Sequence, residues 1–322
     1  MINLKENLSG IKFIDLFAGM GGFHIALSSL GAECVFASEW DPAAQEMYEK
    51  NFGMRPAGDI TKIDEKGIPD HDILCAGFPC QAFSISGKRR GFEDTRGTLF
   101  FDVARIIRVK RPKIAFLENV KNFATHDKGN TLNIVRDTLI KEGYSVHYAV
   151  LNPVHYGTPQ KRERIYIIAI RDDVHGHDAF HFPEPFPLKR SVEDFLLTWP
   201  QVRRQVINRD DIMVTEYTGE KSDKIIRIGQ VGQGRQGERI YSPKGVSITF
   251  SAYGGGAFSK TGGYLIDGEV RKLHPREAAR IMGYPDSHLL HPRDRVAYQQ
   301  LGNSVIVDVL QLIAQRFDGF LT

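Results

Sequence analysis

The sequence predicts an α/β fold followed by a smaller, β-rich lobe, on three observations. Apolar, strand-like runs alternate with helical runs as far as Arg171. The first strand passes through a glycine-rich turn into a helix. From Ser191 to about Leu273 the alternation gives way to short β-type runs punctuated by glycine. A chain of 322 residues, 42% hydrophobic and 25% charged, has the composition of a globular protein with room for one large core and a second lobe. No apolar run approaches the ~18 residues needed to span a bilayer, and Met1 to Glu6 lacks a signal-peptide core. Three cysteines cannot all pair, so a reducing cytoplasm is the expected setting. A net charge of +3 does not locate a partner; nucleic-acid binding would have to come from local patches.

Lys12 to Phe17 reads as a buried first strand, and Ala18-Gly19-Met20-Gly21-Gly22 as the turn into a helix from Phe23 to Leu30. The glycines let backbone approach a ligand, and the helix start offers free N–H groups. The spacing is not Gly-x-Gly-x-x-Gly, so a phosphate-binding dinucleotide site of a dehydrogenase is less favoured. Glu33 to Ser38 is the second strand. It ends at Glu39-Trp40-Asp41, an acid about twenty residues past the first glycine and so placed to accept from ribose hydroxyls. Asp41-Pro42 starts a helix as N-cap and first helical residue. Asp59 lies beside an expected short third strand and is a candidate for an adenine amino group.

A fourth strand, Asp72 to Ala76, runs into Gly77-Phe78-Pro79-Cys80-Gln81 and a long polar loop. A free cysteine is usually a small buried hydrophobe, and Cys75 is read that way. Cys80 sits instead on the loop leaving a strand's carboxyl end, where ligands bind in α/β folds. The same loop carries Lys88-Arg89-Arg90, which fits an anionic substrate. Thr98 to Lys110 is an amphipathic helix with Leu99, Phe100, Val103, Ile106 and Ile107 facing the core. Lys113 to Leu117 is the fifth strand, with Glu118 expected just past its end as a cap or a catalytic acid. A helix at Thr131 to Lys141 precedes strands at Tyr144 to Leu151 and Arg164 to Arg171. Lys161, Arg162 and Arg164, near the start of the second of these, could hold a phosphate or polarise a base carbonyl. In the β-rich lobe, strands are expected at Ile225 to Ile228, Arg239 to Tyr241, Val246 to Ser251 and Gly263 to Ile266. Helices follow at Pro275 to Met282, at Arg293 to Gln300 and finally to about Phe317. Zinc-type His and Cys spacing is absent, and no metal is expected.

Taken in order, Asp15-Leu16-Phe17-Ala18-Gly19-Met20-Gly21-Gly22, Gly77-Phe78-Pro79-Cys80-Gln81, Glu118-Asn119-Val120, Gln160-Lys161-Arg162-Glu163-Arg164 and Gly302-Asn303-Ser304-Val305 resemble the DNA cytosine-5 methyltransferases. The resemblance runs almost end to end and is weakest from Asp172 to Lys224. It implies a Rossmann-like S-adenosylmethionine-dependent methyltransferase domain with a smaller β-rich DNA-recognition domain. The division expected is 1–190 with 302–322 for catalysis, 191–273 for target recognition and 274–301 as hinge. It further implies Cys80 as nucleophile at cytosine C6, Glu118 as proton donor at N3, Arg162 holding O2 and steadying Glu118, and Arg164 in the same site. S-adenosylmethionine is the implied cofactor, held by Phe17, Gly19, Gly21, Glu39, Trp40, Asp59, Ile60, Pro79 and Asn303. The implied partner is double-stranded DNA, met by Ser84, Ser86, Lys88, Gln236, Arg239, Tyr253 and Gly256, with methylation of the inner cytosine of GCGC; a monomer is expected because the motifs suffice within one chain. A tRNA cytosine methyltransferase shares the catalytic motifs, and the substrate-reading lobe is what would separate the two.

Overall fold

The structure is a computed structural model and describes residues 5–79 and 99–321. Cys80, Ser84, Ser86 and Lys88, with the rest of the loop and Thr98, lie outside the described residues. The chain divides into two units: 1–151, 163–183 and 310–322 form one, and 152–162 with 184–309 the other.

The first unit is built on a six-stranded sheet. Its strands are β1 (Lys12–Leu16), β2 (Glu33–Ser38), β3 (Ile73–Gly77), β4 (Ile114–Val120), β5 (Tyr144–Leu151) and β6 (Arg164–Arg171), in the spatial order β2-β1-β3-β4-β6-β5. The pairs β1–β2, β1–β3 and β3–β4 are parallel, whereas β6 runs antiparallel to both β4 and β5. Both faces of the central strands are buried, which is why they read as continuous apolar runs. One face carries Ile14, Leu16, Leu74, Ala115, Leu117 and Ile167, clustered with α3 (Leu99–Lys110) and α4 (Asn130–Lys141). On the other face Phe116 meets Phe23 of α1 (Gly22–Ser28) and Phe317 edge-on, at 5.0 and 5.3 Å. Because β1 lies between β2 and β3, the chain leaves β1 for its neighbours in opposite directions, opening a crevice at the strands' carboxyl ends.

Two expectations are corrected in this unit. The segment at Asp59 is not a strand: it has no sheet partner, and the Asp59 side chain caps a short 3-10 turn, Ile60–Lys62. Glu118 lies within β4 rather than beyond it, because β6 pairs with every residue from Ile114 to Val120.

The second unit holds a five-stranded sheet in the order β11-β10-β9-β8-β7, made of β7 (Met213–Val214), β8 (Arg227–Gln230), β9 (Arg239–Tyr241), β10 (Gly263–Ile266) and β11 (Glu269–Lys272). Val231, Ile240, Phe258 and Val270 form its small core. The expected strand at Val246 to Ser251 is absent; Ser247 makes an isolated bridge with Gln160 instead. The two outer strands, β7 and β11, were not anticipated: β7 is only two residues long, and the β11 run Glu269-Val270-Arg271-Lys272 is largely charged. The helix α5 (Pro275–Ile281) follows the predicted start at Pro275, whereas α6 (Asp294–Asn303) continues through Gly302 and Asn303, which had been expected beyond it.

Candidate active site and recognition surface

The cofactor residues expected in the first unit lie on loops at the carboxyl ends of its strands. Phe17 leaves β1 with φ of 56°, and Gly21, with φ of 77°, is the N-cap of α1. A Cβ on Gly21 would stand 2.2 Å from the Phe52 ring, so the turn requires glycine at this position. Glu39, just past β2, accepts from the Gly19 N–H at 2.9 Å and the Asp41 N–H at 2.8 Å, which ties the glycine turn to the end of the neighbouring strand. Burial raises the Glu39 pKa, opposed by these backbone hydrogen bonds. Trp40 beside it is 78% exposed. Asp59 accepts from the N–H and hydroxyl of Thr61 at 3.1 and 2.9 Å, and the hydroxyl hydrogen bond is the main cause of its lowered pKa. Ile60 is buried and Pro79 exposed. These side chains are two rings, an aliphatic group and two carboxylates, types that can meet adenine and ribose. None of these residues is cationic, which fits a cofactor without phosphates.

Behind the glycine turn lies a buried polar chain that sequence reading missed. Tyr48 on α2 (Pro42–Phe52) donates to Asp15 of β1 at 3.4 Å, and His24 Nδ1 lies 2.8 Å from the Tyr48 hydroxyl. Phe52 stacks on His24 at 3.9 Å. Burial holds His24 neutral, its pKa lowered to about 4, and pushes Asp15 well above the carboxylate range. The folded state therefore keeps a proton on Asp15 at a pH where the unfolded chain has lost it, and this contribution to stability falls as pH rises past the unfolded value. Asp15→Asn keeps the shape without the titration. Urea unfolding between about pH 5 and pH 8 is expected to show a flatter decline in stability for this variant than for the parent, and parallel profiles would refute the assignment.

The chemistry-bearing side chains meet around the end of β3. Gly77 pairs with Glu118 across the β3–β4 ladder, placing Glu118 beside the strand end that leads to Pro79 and Cys80. Arg164 sits opposite Val120 in the β4–β6 pair, so its long side chain reaches the diagonal neighbour on the same face. It forms an ion pair with Glu118 at 3.0 Å, both side chains almost buried. Asn119 was quoted in a motif but given no role. Its Nδ2 donates to the Phe78 carbonyl at 2.9 Å and so fixes the backbone two residues before Cys80. The free cysteines Cys34 and Cys75 are poor nucleophiles: burial pushes Cys34 up to about 12 and Cys75 well above its usual value.

Arg162 and Asn303 belong to the second unit. Arg162 is 2% exposed and donates to the carbonyls of Phe250 (3.2 Å), Gly302 (3.0 Å) and Ser304, anchoring the segment that carries the exposed Asn303. Among the described residues Arg164, which had no distinct role in the sequence reading, forms an ion pair with Glu118.

Gln236 lies on the turn that leads into β9, Arg239 is the first residue of β9, and Tyr253 and Gly256 lie on a neighbouring loop of this unit. A Cβ on Gly237 would lie 2.0 Å from the Gly255 carbonyl oxygen, and one on Gly256 would lie 2.6 Å from that of Gly237. The loops pack backbone to backbone, and the Phe258 N–H donates to the Gly237 carbonyl at 2.8 Å. Gln236 and Tyr253 are left exposed, with Arg239 half-buried beside them. Among the described residues no group of three or more His, Cys, Asp or Glu is placed to hold a metal ion, and no helix is long and apolar enough to cross a membrane.

Comparisons with known proteins identify the family. The model of C-5 cytosine-specific DNA methylases matches residues 11–318. The chain is 60% identical over 323 residues to the type II methyltransferase M.HhaI of Haemophilus parahaemolyticus, covering 100% of this chain and 98% of that one. It is 44% identical to M.HpaII of Haemophilus parainfluenzae over 98% of this chain and 90% of the relative. Among solved structures the S. pombe Dnmt2 methyltransferase superposes with a TM-score of 0.72 at 20% identity, covering 95% of this chain and 97% of that one, a likeness of fold. The chain belongs to the C-5 cytosine-specific DNA methylases and is a cytosine-C5 DNA methyltransferase of the type II restriction-modification kind.

Proposed function

We propose that the protein methylates C5 of the inner cytosine of GCGC in double-stranded DNA, through a covalent adduct of Cys80 with a base turned out of the duplex. The observation that carries this is the nearly buried Glu118–Arg164 pair, fixed across Gly77 three residues before Cys80 in the chain. The 60% identity to M.HhaI supports the choice of GCGC. We read the enzyme as a monomer acting in the cytoplasm, the modification arm of a restriction-modification system.

S-adenosylmethionine, when bound, supplies an electrophilic methyl group on a sulfonium. Phe17 would pack against the adenine, with Glu39 taking the ribose hydroxyls, Asp59 the adenine amino group and Trp40 helping to close the pocket. Gly19, Gly21, Ile60, Pro79 and Asn303 would complete the pocket. C6 of cytosine is inaccessible in a stacked duplex, so the base must leave the stack at a cost of a few kcal/mol. The Cys80 thiolate then adds to C6, and the electron pair displaced from the C5–C6 bond makes C5 nucleophilic. Glu118 holds a proton at N3 against the charge that builds on the ring, and Arg164 keeps that carboxyl group in place. Once C5 carries the methyl, loss of its proton to a base and cleavage of the S–C6 bond restore the ring and the thiolate. Ser84, Ser86 and Lys88 would contact DNA from the Cys80 loop, with Ser86 and Gln236 filling the space left by the base. In the 191–273 recognition lobe Arg239, Tyr253 and Gly256 would read or support the duplex, with 274–301 as hinge.

Bisulfite sequencing of a random plasmid library after incubation with enzyme and S-adenosylmethionine tests the whole reading. Protection confined to the inner cytosine of GCGC is expected. Protection at another sequence would refute the specificity, and faster methylation of tRNA than of duplex DNA would refute the substrate.

A further inference from the structure

We propose that the Arg209–Asp211 pair is a positioning element for sequence reading, holding the turn from which Gln236 and Arg239 are presented. The inference rests on the reading of the 191–273 lobe as the recognition domain. Both residues lie in the stretch from Asp172 to Lys224, where the family resemblance is weakest.

Arg209 grips Asp211 with two hydrogen bonds, Nε to Oδ1 at 2.7 Å and Nη2 to Oδ2 at 2.8 Å. The same Oδ2 accepts the Gly232 backbone N–H at 3.0 Å. Pairing of Met213 with Gln230 in β7 and β8 brings Asp211 to this position, just past the end of β8. From Gly232 the contacts run on through the loop. The Gly234 N–H donates to the Val231 carbonyl at 3.1 Å, and the Val231 N–H to the Glu238 carbonyl at 2.8 Å. Glu238 accepts the Arg235 N–H at 2.9 Å. Arg239 in turn donates from Nε to the Gly234 carbonyl at 3.2 Å, so the aim of its guanidinium depends on where the turn sits.

The Arg209 hydrogen bond is the main reason Asp211 is lowered to about 2, so it is a charged acceptor at any working pH. The pair is about half exposed, and exposed pairs contribute little to global stability. A fixed charged acceptor on one loop N–H instead sets local geometry, and base discrimination is sensitive to such geometry. Asp211 is therefore expected to matter to discrimination while contributing little to folding.

The test compares steady-state methylation of a GCGC duplex with that of duplexes carrying one changed base, for the parent, Asp211→Ala, Asp211→Asn and Arg239→Ala. S-adenosylmethionine binding and melting temperature are measured alongside. Asp211→Ala is expected to raise the KM for DNA and lower the cognate-to-changed ratio, each by about fivefold or more, with kcat and cofactor affinity unchanged. Asp211→Asn keeps an oxygen for Gly232 and should retain most of the ratio. A parent-like ratio in Asp211→Ala, alongside a collapsed ratio in Arg239→Ala, overturns the proposal and leaves the recognition loop standing. A parent-like ratio in Arg239→Ala removes the reading of the lobe and the proposal with it. Losses in Asp211→Ala that track melting and cofactor binding equally would make the pair structural and also overturn it.

Discussion

Cys80→Ser is expected to abolish methyl transfer, by at least about a thousandfold, while leaving S-adenosylmethionine binding close to that of the parent. A thiol near its ordinary pKa of about 8.5 supplies an appreciable thiolate fraction at neutral pH, whereas a serine hydroxyl supplies almost none without a strong base. No other cysteine can substitute. Cys75 is fully buried within β3, Cys34 is partly buried in β2, and burial holds both thiols protonated. Calorimetric titration with cofactor and a tritiated-methyl transfer assay separate the two quantities. Undiminished turnover in the variant would remove Cys80 from the mechanism.

Arg164→Ala is expected to have the second-largest effect, lowering kcat by about a hundredfold and costing roughly 3 kcal/mol of stability. Its side chain and that of Glu118 are 14% and 10% exposed, so little solvent is available to replace the guanidinium once it is gone. The carboxyl group would lose its fixed direction, and with it the placement of its proton where N3 must sit, even though removing the neighbouring cation by itself favours the protonated form. Arg164→Lys retains the charge without the guanidinium fork and should recover part of the stability but less of the rate. Urea unfolding and single-turnover methylation of both variants check this. A rate unchanged in a folded Arg164→Ala protein would mean that Glu118 is not positioned by Arg164.

The sequence made the parallel core of the sheet legible because strands buried on both faces leave uninterrupted apolar runs, as at Ile73 to Ala76 and Ile114 to Leu117. The glycine turn was legible for a different reason: Gly21 packs where a Cβ would strike Phe52. What stayed hidden is set by pairing between distant segments. Glu118 was placed beyond its strand because nothing local shows that β6 extends the ladder to Val120. Arg162 and Arg164 have similar local surroundings in sequence, yet one is surrounded by backbone carbonyls and the other meets a carboxylate. The His24–Tyr48–Asp15 chain joins two helices and a strand, and no short motif spans them. The Arg209–Asp211 pair lies in a stretch without a motif, and only the β7–β8 register brings it to Gly232.

The central claim is a covalent bond between Cys80 and cytosine C6. Replacing the target cytosine of a GCGC duplex with 5-fluorocytosine leaves no C5 proton to be lost, so the adduct should persist after methyl transfer. Denaturing mass spectrometry is expected to find protein, DNA and one added methyl as a single species, with proteolysis mapping the cross-link to Cys80. Ready methylation of the normal duplex with no trapped species from the fluorinated one, or a cross-link at another residue, would contradict the account.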